Sequence, residues 1–225
     1  MDRRTLIGGG IAGAAVVVAA GGYFYNTRNA AEAQTAVNAG DASAVADVDT
    51  SGVTEMVLGD ADAPVTMMEY ASFTCPHCRD FHNNVFTQLR TDYIDTGKVK
   101  FIYRDVYFDR YGLWASLIAR CNGGMRFFGI ADMLYEQQDQ WLRGAKSEAD
   151  IADNLRKLGK VAGLDDATLE ACLADEDQAR TLAAWYQKNA TADDVSGTPT
   201  LIINGEKYSN MSYAELKKIL DEQLG

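Results

Sequence analysis

Apolar and polar positions change period along this chain in a way that divides it into segments. From Val65 to Ala71 apolar residues run almost without interruption, Val65-Thr-Met-Met-Glu-Tyr-Ala71, which predicts a buried central strand. Glu55-Met-Val-Leu58 before it reads as a short strand ended by Gly59-Asp60, and Lys98-Val-Lys-Phe-Ile-Tyr-Arg104 after it alternates like a strand. Between the second and third strands Phe81, Val85, Phe86 and Leu89 recur at spacings of four, one and three. That pattern predicts a helix from Cys75-Pro76 to about Tyr93 with one apolar face.

The period then stays helical from Tyr111 to about Ala190. Leu113, Leu117 and Ile118 form one stripe; Phe127, Phe128, Ala131 and Leu134 form another. Ser147 to Asp150 supplies a cap for a helix carrying Ile151, Leu155 and Leu158, and Leu164-Asp165-Asp166 starts one carrying Leu169 and Leu173. A last helix of this section covers about Asp177 to Lys188. Strand character returns in Thr200-Leu-Ile-Ile-Asn204, Asn204-Gly205 signals a hairpin, and Glu206-Lys-Tyr208 is the return strand. Ser212, with Glu215 three residues on, opens a closing helix bearing Leu216, Ile219, Leu220 and Leu224. The order is strand, strand, helix, strand, a large helical insertion, then strand, strand, helix.

The first residues are of another kind. Basic Arg3-Arg4 precedes an uncharged run from Leu6 to Tyr25, and Ala31-Glu32-Ala33 offers a small-x-small cleavage site. Residues 1–33 are expected to be an export signal or a retained N-terminal membrane anchor, since the run is long enough to cross a bilayer. Residues 34–52, rich in Ala, Asp, Ser and Val without an apolar period, read as a flexible linker. The folded part is then divided as 53–110, a helical insertion at 111–190, and 191–225. Either reading of the start places this part outside the cytoplasm.

Composition adds two exclusions. The chain has 225 residues, 47% of them apolar, which is too much for general disorder. A formal charge of −11 argues against binding nucleic-acid phosphates.

The chemistry centres on Cys75-Pro76-His77-Cys78. A Cys-x-x-Cys pair serves zinc sites, haem attachment or dithiol redox sites. Residue 79 is Arg, which removes the haem reading. A zinc site would have to draw on Cys121, Cys172, His77 and His82, with no second close cysteine pair. A strand, a short polar turn and an amphipathic helix around the motif favour redox chemistry. At a helix start, backbone N–H groups and the helix dipole favour a Cys75 thiolate. Pro76 suits the first helical turn, and His77 can add positive charge or a hydrogen bond. Cys75 is expected to form mixed disulfides and Cys78, one turn inward, to resolve them.

Three further features bear on this centre. Glu69 is the lone charge in an apolar strand. It is either a buried acid of raised pKa, able to relay protons to Cys78, or it faces water on a twisted strand. Thr198-Pro199 before the final hairpin is either a plain turn or a cis bond that projects backbone groups toward the dithiol. Cys121 and Cys172 both fall in the helical insertion. They are expected to form a structural disulfide contributing roughly 4 kcal/mol by loop closure, the alternatives being separate thiols or a second redox relay.

Glu69-Tyr-Ala-Ser-Phe-Thr-Cys-Pro-His-Cys78, Gly197-Thr-Pro-Thr200 and the order of elements together resemble the DsbA family of thioredoxin-fold thiol oxidases, over about Val53 to Leu224. The resemblance implies an α/β thioredoxin-like fold with the helical insertion between its third and fourth core strands. It implies Cys75 as nucleophile, Cys78 as resolving cysteine, His77 as thiolate stabiliser, Glu69 as buried acid, and Thr198-Pro199 as a cis-proline loop that binds extended peptide. The Cys121–Cys172 pair resembles an extra disulfide found in some members. Implied partners are unfolded exported proteins and a DsbB-like quinone-linked membrane oxidase. No metal and no dissociable cofactor is expected, and the protein is expected to be a periplasmic or otherwise extracytoplasmic monomer. The readings set against this one are a disulfide reductase or isomerase, a thiol-based copper chaperone, and a noncatalytic peptide-binding module.

Overall fold

The computed structural model describes residues 47–225. The expected signal or anchor, and residues 34–46 of the expected linker, lie outside the described residues. Among those described, no helix is long and apolar enough to cross a membrane.

Among the described residues five strands form one sheet in the order β1-β3-β2-β4-β5. They are β1 (Met56–Leu58), β2 (Val65–Ala71), β3 (Val99–Asp105), β4 (Thr200–Ile203) and β5 (Glu206–Ser209). Only β2 and β3 run parallel; the remaining pairs are antiparallel. The apolar run of β2 is explained by its place, between β3 and β4 with both faces covered. Its odd-numbered residues Val65, Met67 and Ala71 join the main core, whereas Tyr70 packs on the opposite face with Val106 and Ala190. Glu69 is therefore turned by strand alternation into the main core, and it is fully buried.

Helix α1 (Pro76–Phe81) continues through a π-helical turn (His82–Phe86), one α-helical turn (Thr87–Leu89) and a second π turn (Arg90–Ile94). The apolar face read from the sequence, Phe81, Val85, Phe86 and Leu89, is buried in the main core. The π turns widen the helix, a departure that the 3.6-residue period does not encode. Gly59, at φ +96°, closes the turn after β1. A Cβ there would lie 2.6 Å from the Val99 carbonyl oxygen, so the close approach requires glycine.

The section between β3 and β4 contains α2 (Arg110–Ala119), α3 (Phe127–Glu136), α4 (Glu148–Val161), α5 (Asp166–Leu173) and α6 (Glu176–Ala192). Ser147 caps α4 by accepting from the Asp150 N–H, as its sequence suggests, and Asp165 caps α5 through Thr168. Cys121 and Cys172 are bonded, with Cα atoms 5.8 Å apart, and tie the turn after α2 to α5. The hairpin turn uses Asn204 and Gly205, both at positive φ. Closing helix α7 (Tyr213–Leu224) begins at a complete Ser212/Glu215 capping box and buries Leu216 and Leu220.

Candidate active site

Cys75 is the N-cap of α1, with extended backbone at φ −80° and ψ 122°, and Pro76 occupies the first turn. Proline fits there because the missing N–H has no intrahelical partner to lose. The Cys75 side chain keeps a small exposed edge, 8%, whereas Cys78 is at 0%. Both are free thiols in this structure. The Thr198–Pro199 peptide is cis, and the Cys75 sulfur lies 3.6 Å from the Thr198 carbonyl oxygen, to which it donates when protonated. The two segments singled out in the sequence thus meet at the Cys75 sulfur.

The two thiols are driven apart in acidity. Hydrogen bonding from Cys78 brings Cys75 down to about 5, with further help from the Thr198 side chain and from the backbone N–H groups of Cys78 and His77, against an opposing effect of burial. Burial pushes Cys78 far up, and the neighbouring Cys75 and Glu69 charges push it further. At neutral pH the pair therefore holds one proton, on Cys78, facing a Cys75 thiolate. His77 acts here through its main chain, and its side chain is exposed.

This has a measurable consequence. A depressed thiol favours the folded reduced state once pH exceeds the folded value, since the unfolded chain still binds the proton. The gain is complete above about 9, the ordinary value, and is lost as pH falls through about 5. Cys78 is shifted upward, so both states keep its proton below about 9 and it adds slope, of opposite sign, only above that; between 5 and 9 the dithiol's slope belongs to Cys75. Ultraviolet thiolate absorbance of the reduced protein should titrate with a midpoint near 5 and vanish in Cys75→Ser; a midpoint above 8 would contradict this assignment.

Behind the dithiol lies a buried polar cluster that sequence reasoning largely missed. Glu69 Oε2 is 3.0 Å from His82 Nε2, with both side chains almost completely buried. The Tyr135 ring stacks on His82 at 4.1 Å between centroids and 19° between planes. The Tyr103 and Tyr135 hydroxyls are 2.6 Å apart, and burial raises both phenols well above their usual value. The sequence brought in His82 only as a conceivable zinc ligand. Its spacing was the available signal: four residues beyond Cys78, it falls on the same helix face.

Gln138 is the second omission. Fully buried, it donates to the carbonyl oxygens of Phe73 at 2.8 Å and Cys75 at 3.0 Å, so the helical insertion clamps the turn that presents the nucleophile. Thr74 donates to Asp109 at 2.8 Å, and Asp109 also caps α2 through Gly112, which couples the turn to the insertion a second time. Cys121 and Cys172 are joined to each other rather than to this site.

Known proteins resemble this chain in sequence and fold. The family described as thioredoxin matches residues 51–222. A relative from Rickettsia bellii, provisionally named a protein-disulfide oxidoreductase, is 32% identical over 171 residues, covering 76% of this chain and 64% of that protein. The chain thus spans slightly less than two thirds of that relative's length. The crystal structure of oxidised BdbD from Bacillus subtilis superposes with a TM-score of 0.66 at 26% identity, over 76% of this chain and 92% of the other. Wolbachia pipientis alpha-DsbA1 shares the fold, with a TM-score of 0.68 at 24% identity over 76% and 90% of the two chains. With its sheet, its Cys-Pro-His-Cys helix start and the family match taken together, the chain belongs to the thioredoxin family.

Proposed function

We propose that this protein is an extracytoplasmic thiol:disulfide oxidase that donates the Cys75–Cys78 disulfide to exported proteins through a mixed-disulfide intermediate. The observation that carries the reading is the split between the two thiols: Cys75, at the helix start with a small edge still exposed, lowered to about 5, and Cys78 fully buried and protonated behind it. A stabilised Cys75 thiolate favours the reduced enzyme, makes Cys75 a good leaving group and so makes the disulfide a strong oxidant.

In the cycle a substrate thiolate attacks Cys75 of the disulfide. Its electron pair forms the new sulfur–sulfur bond, and Cys78 leaves with the pair of the broken bond and takes up a proton. A second substrate thiolate attacks the substrate sulfur and expels the Cys75 thiolate. Glu69 serves as the buried acid that handles the Cys78 proton. The Thr198–Pro199 loop, in contact with Cys75, docks the extended peptide beside the reacting sulfur. Pro76 fixes the helix start, and the exposed His77 ring adds a donor or positive charge to the thiolate's surroundings. A DsbB-like quinone-linked membrane oxidase withdraws the two electrons and restores the disulfide. The protein works as a monomer.

A place outside the cytoplasm is supported by the Cys121–Cys172 bridge, a bond that persists in oxidising compartments, and by the basic-then-apolar start of the chain. The test is direct. Oxidised full-length protein mixed with a reduced peptide bearing two cysteines should transfer one disulfide per molecule. Peptide thiols that persist alongside an intact Cys75–Cys78 disulfide would refute the oxidase.

A further inference from the structure

We propose that His82 carries protons between Glu69 and solvent, through a cleft between α1 and α3, while the Cys75–Cys78 pair turns over. The inference rests on the disulfide exchange proposed above and assigns the route by which its proton enters and leaves.

The problem is set by burial. Cys78 gains a proton each time the disulfide is opened and loses one each time it is remade, yet Cys78 and Glu69 are both at 0% exposure. A buried carboxyl that has given its proton to Cys78 stays a buried charge for as long as the dithiol is reduced, a costly state unless a carrier brings a replacement proton from water. His82 is the group in contact with Glu69 that can serve. Its Nε2 meets Glu69 Oε2 at 3.0 Å, and its Nδ1 is buried with no hydrogen-bond partner, as is Glu69 Oε1. A histidine held only for structure would be expected to satisfy both nitrogens. An imidazole can accept a proton at one nitrogen and release one from the other, which a fixed donor such as an amide cannot do.

The outward path is also present. His82 lines a cleft of about 190 Å³ together with Arg90, Asp132, Tyr135 and Glu136. Titratable and charged groups around the ring come from every packed element. They are Glu69 on β2, Tyr103 on β3, Tyr135, Asp132 and Glu136 on α3, and Cys78 and Arg90 on its own helix. Arg90 reaches Asp132 at 3.4 Å. Burial raises the Asp132 carboxyl, opposed by the His82 and Arg90 charges, so an acid lining the cleft holds its proton more readily than a free one. The π turn that begins at His82 sets this ring, stacked on Tyr135, between the buried acid and the cleft.

The steps balance without a further reactant. When Cys78 leaves as a thiolate, the Glu69 carboxyl gives it a proton and becomes a carboxylate. His82 then delivers its Nε2 proton to Glu69 and takes one at Nδ1 from the cleft. Reoxidation runs the same transfers outward. His82 touches neither sulfur and acts through Glu69, as a relay and positioning residue.

The test uses the full chain in a dilute buffer free of imidazole, following reduction of the Cys75–Cys78 disulfide by dithiothreitol with acid quench and thiol alkylation. His82→Ala should slow the reaction about a hundredfold. Added imidazole should restore it, whereas pyrrole, of equal size but with no second nitrogen, should not. His82→Gln keeps a donor for Glu69 and most of the volume, so it should fold even where alanine does not. It should remain slow and, unlike wild type, should accelerate with the concentration of a small buffer acid. Wild-type speed in His82→Gln, or an equal response of His82→Ala to imidazole and pyrrole, would overturn the relay. A wild-type disulfide that fails to exchange at all would instead overturn the functional reading, and the relay with it.

Discussion

Serine at position 75 is expected to lower dithiol oxidation by more than about a thousandfold, to the uncatalysed background, while serine at position 78 should leave substrates attached to Cys75. The two outcomes differ because the two sulfurs do different things. Cys75 has the exposed edge, the N-cap position, and the lowered thiol. An oxygen in its place cannot form a disulfide. Cys78 is closed off from any protein substrate, so its only partner is Cys75. With Cys78→Ser the attack that would release a bound substrate from within the site is lost, and the mixed disulfide accumulates. Mass spectrometry of alkylation-trapped adducts separates the roles. Adducts carried by Cys78 in a Cys75→Ser background, with none on Cys75 in the converse variant, would reverse them.

Loss of one member of the Asp105–Arg120 pair should be the largest effect on stability away from the dithiol. The two side chains are 2% and 5% exposed, and Arg120 contacts Asp105 Oδ2 through Nη2 at 2.7 Å and Nε at 3.0 Å. Ser116 donates to the other carboxylate oxygen at 2.9 Å, and Arg120 also reaches the Thr54 carbonyl at 3.0 Å. The pair therefore joins the end of β3, the end of α2 and the chain entering β1. Arg120→Met leaves a carboxylate buried without its cation, a change that costs about 3–5 kcal/mol. For a domain of this size that corresponds to a fall of about 10 °C in Tm. The double variant Asp105→Leu/Arg120→Met removes both charges and should recover much of the loss, because the intact pair itself spent desolvation energy on burial. Thermal and urea denaturation of the three proteins measure this; a single-variant loss below 1 kcal/mol would show that the pair is solvated.

What the sequence revealed and what it concealed divide along physical lines. The five strands are legible because β2 must be apolar on both faces, while Asn204-Gly205 can hardly be other than a hairpin turn. Cys75-Pro76 marks the helix start because proline and a capping residue have restricted uses. Glu69 stands out because a charge in a buried strand needs a reason, and strand alternation puts it on the core face. The partner of that charge is not legible in the same way. His82 and Tyr135 are brought together by packing between α1 and α3, across fifty residues of sequence, and no local period encodes the contact. Gln138 is hidden for a similar reason. Glutamine is ordinarily a surface residue, and only the fold turns it inward against the Phe73 and Cys75 carbonyls. Arg120 and Asp105 each look like the polar end of an element until the ends meet.

Equilibrium with glutathione decides whether the dithiol runs as an oxidant or a reductant. The full chain is titrated with mixtures of reduced and oxidised glutathione, and the Cys75–Cys78 thiols are counted after acid quench. A thiol lowered as far as Cys75 predicts a reduction potential less negative than about −180 mV, on the oxidising side of protein disulfide isomerase. A potential near that of thioredoxin, about −270 mV, would contradict the account and make the protein a reductase.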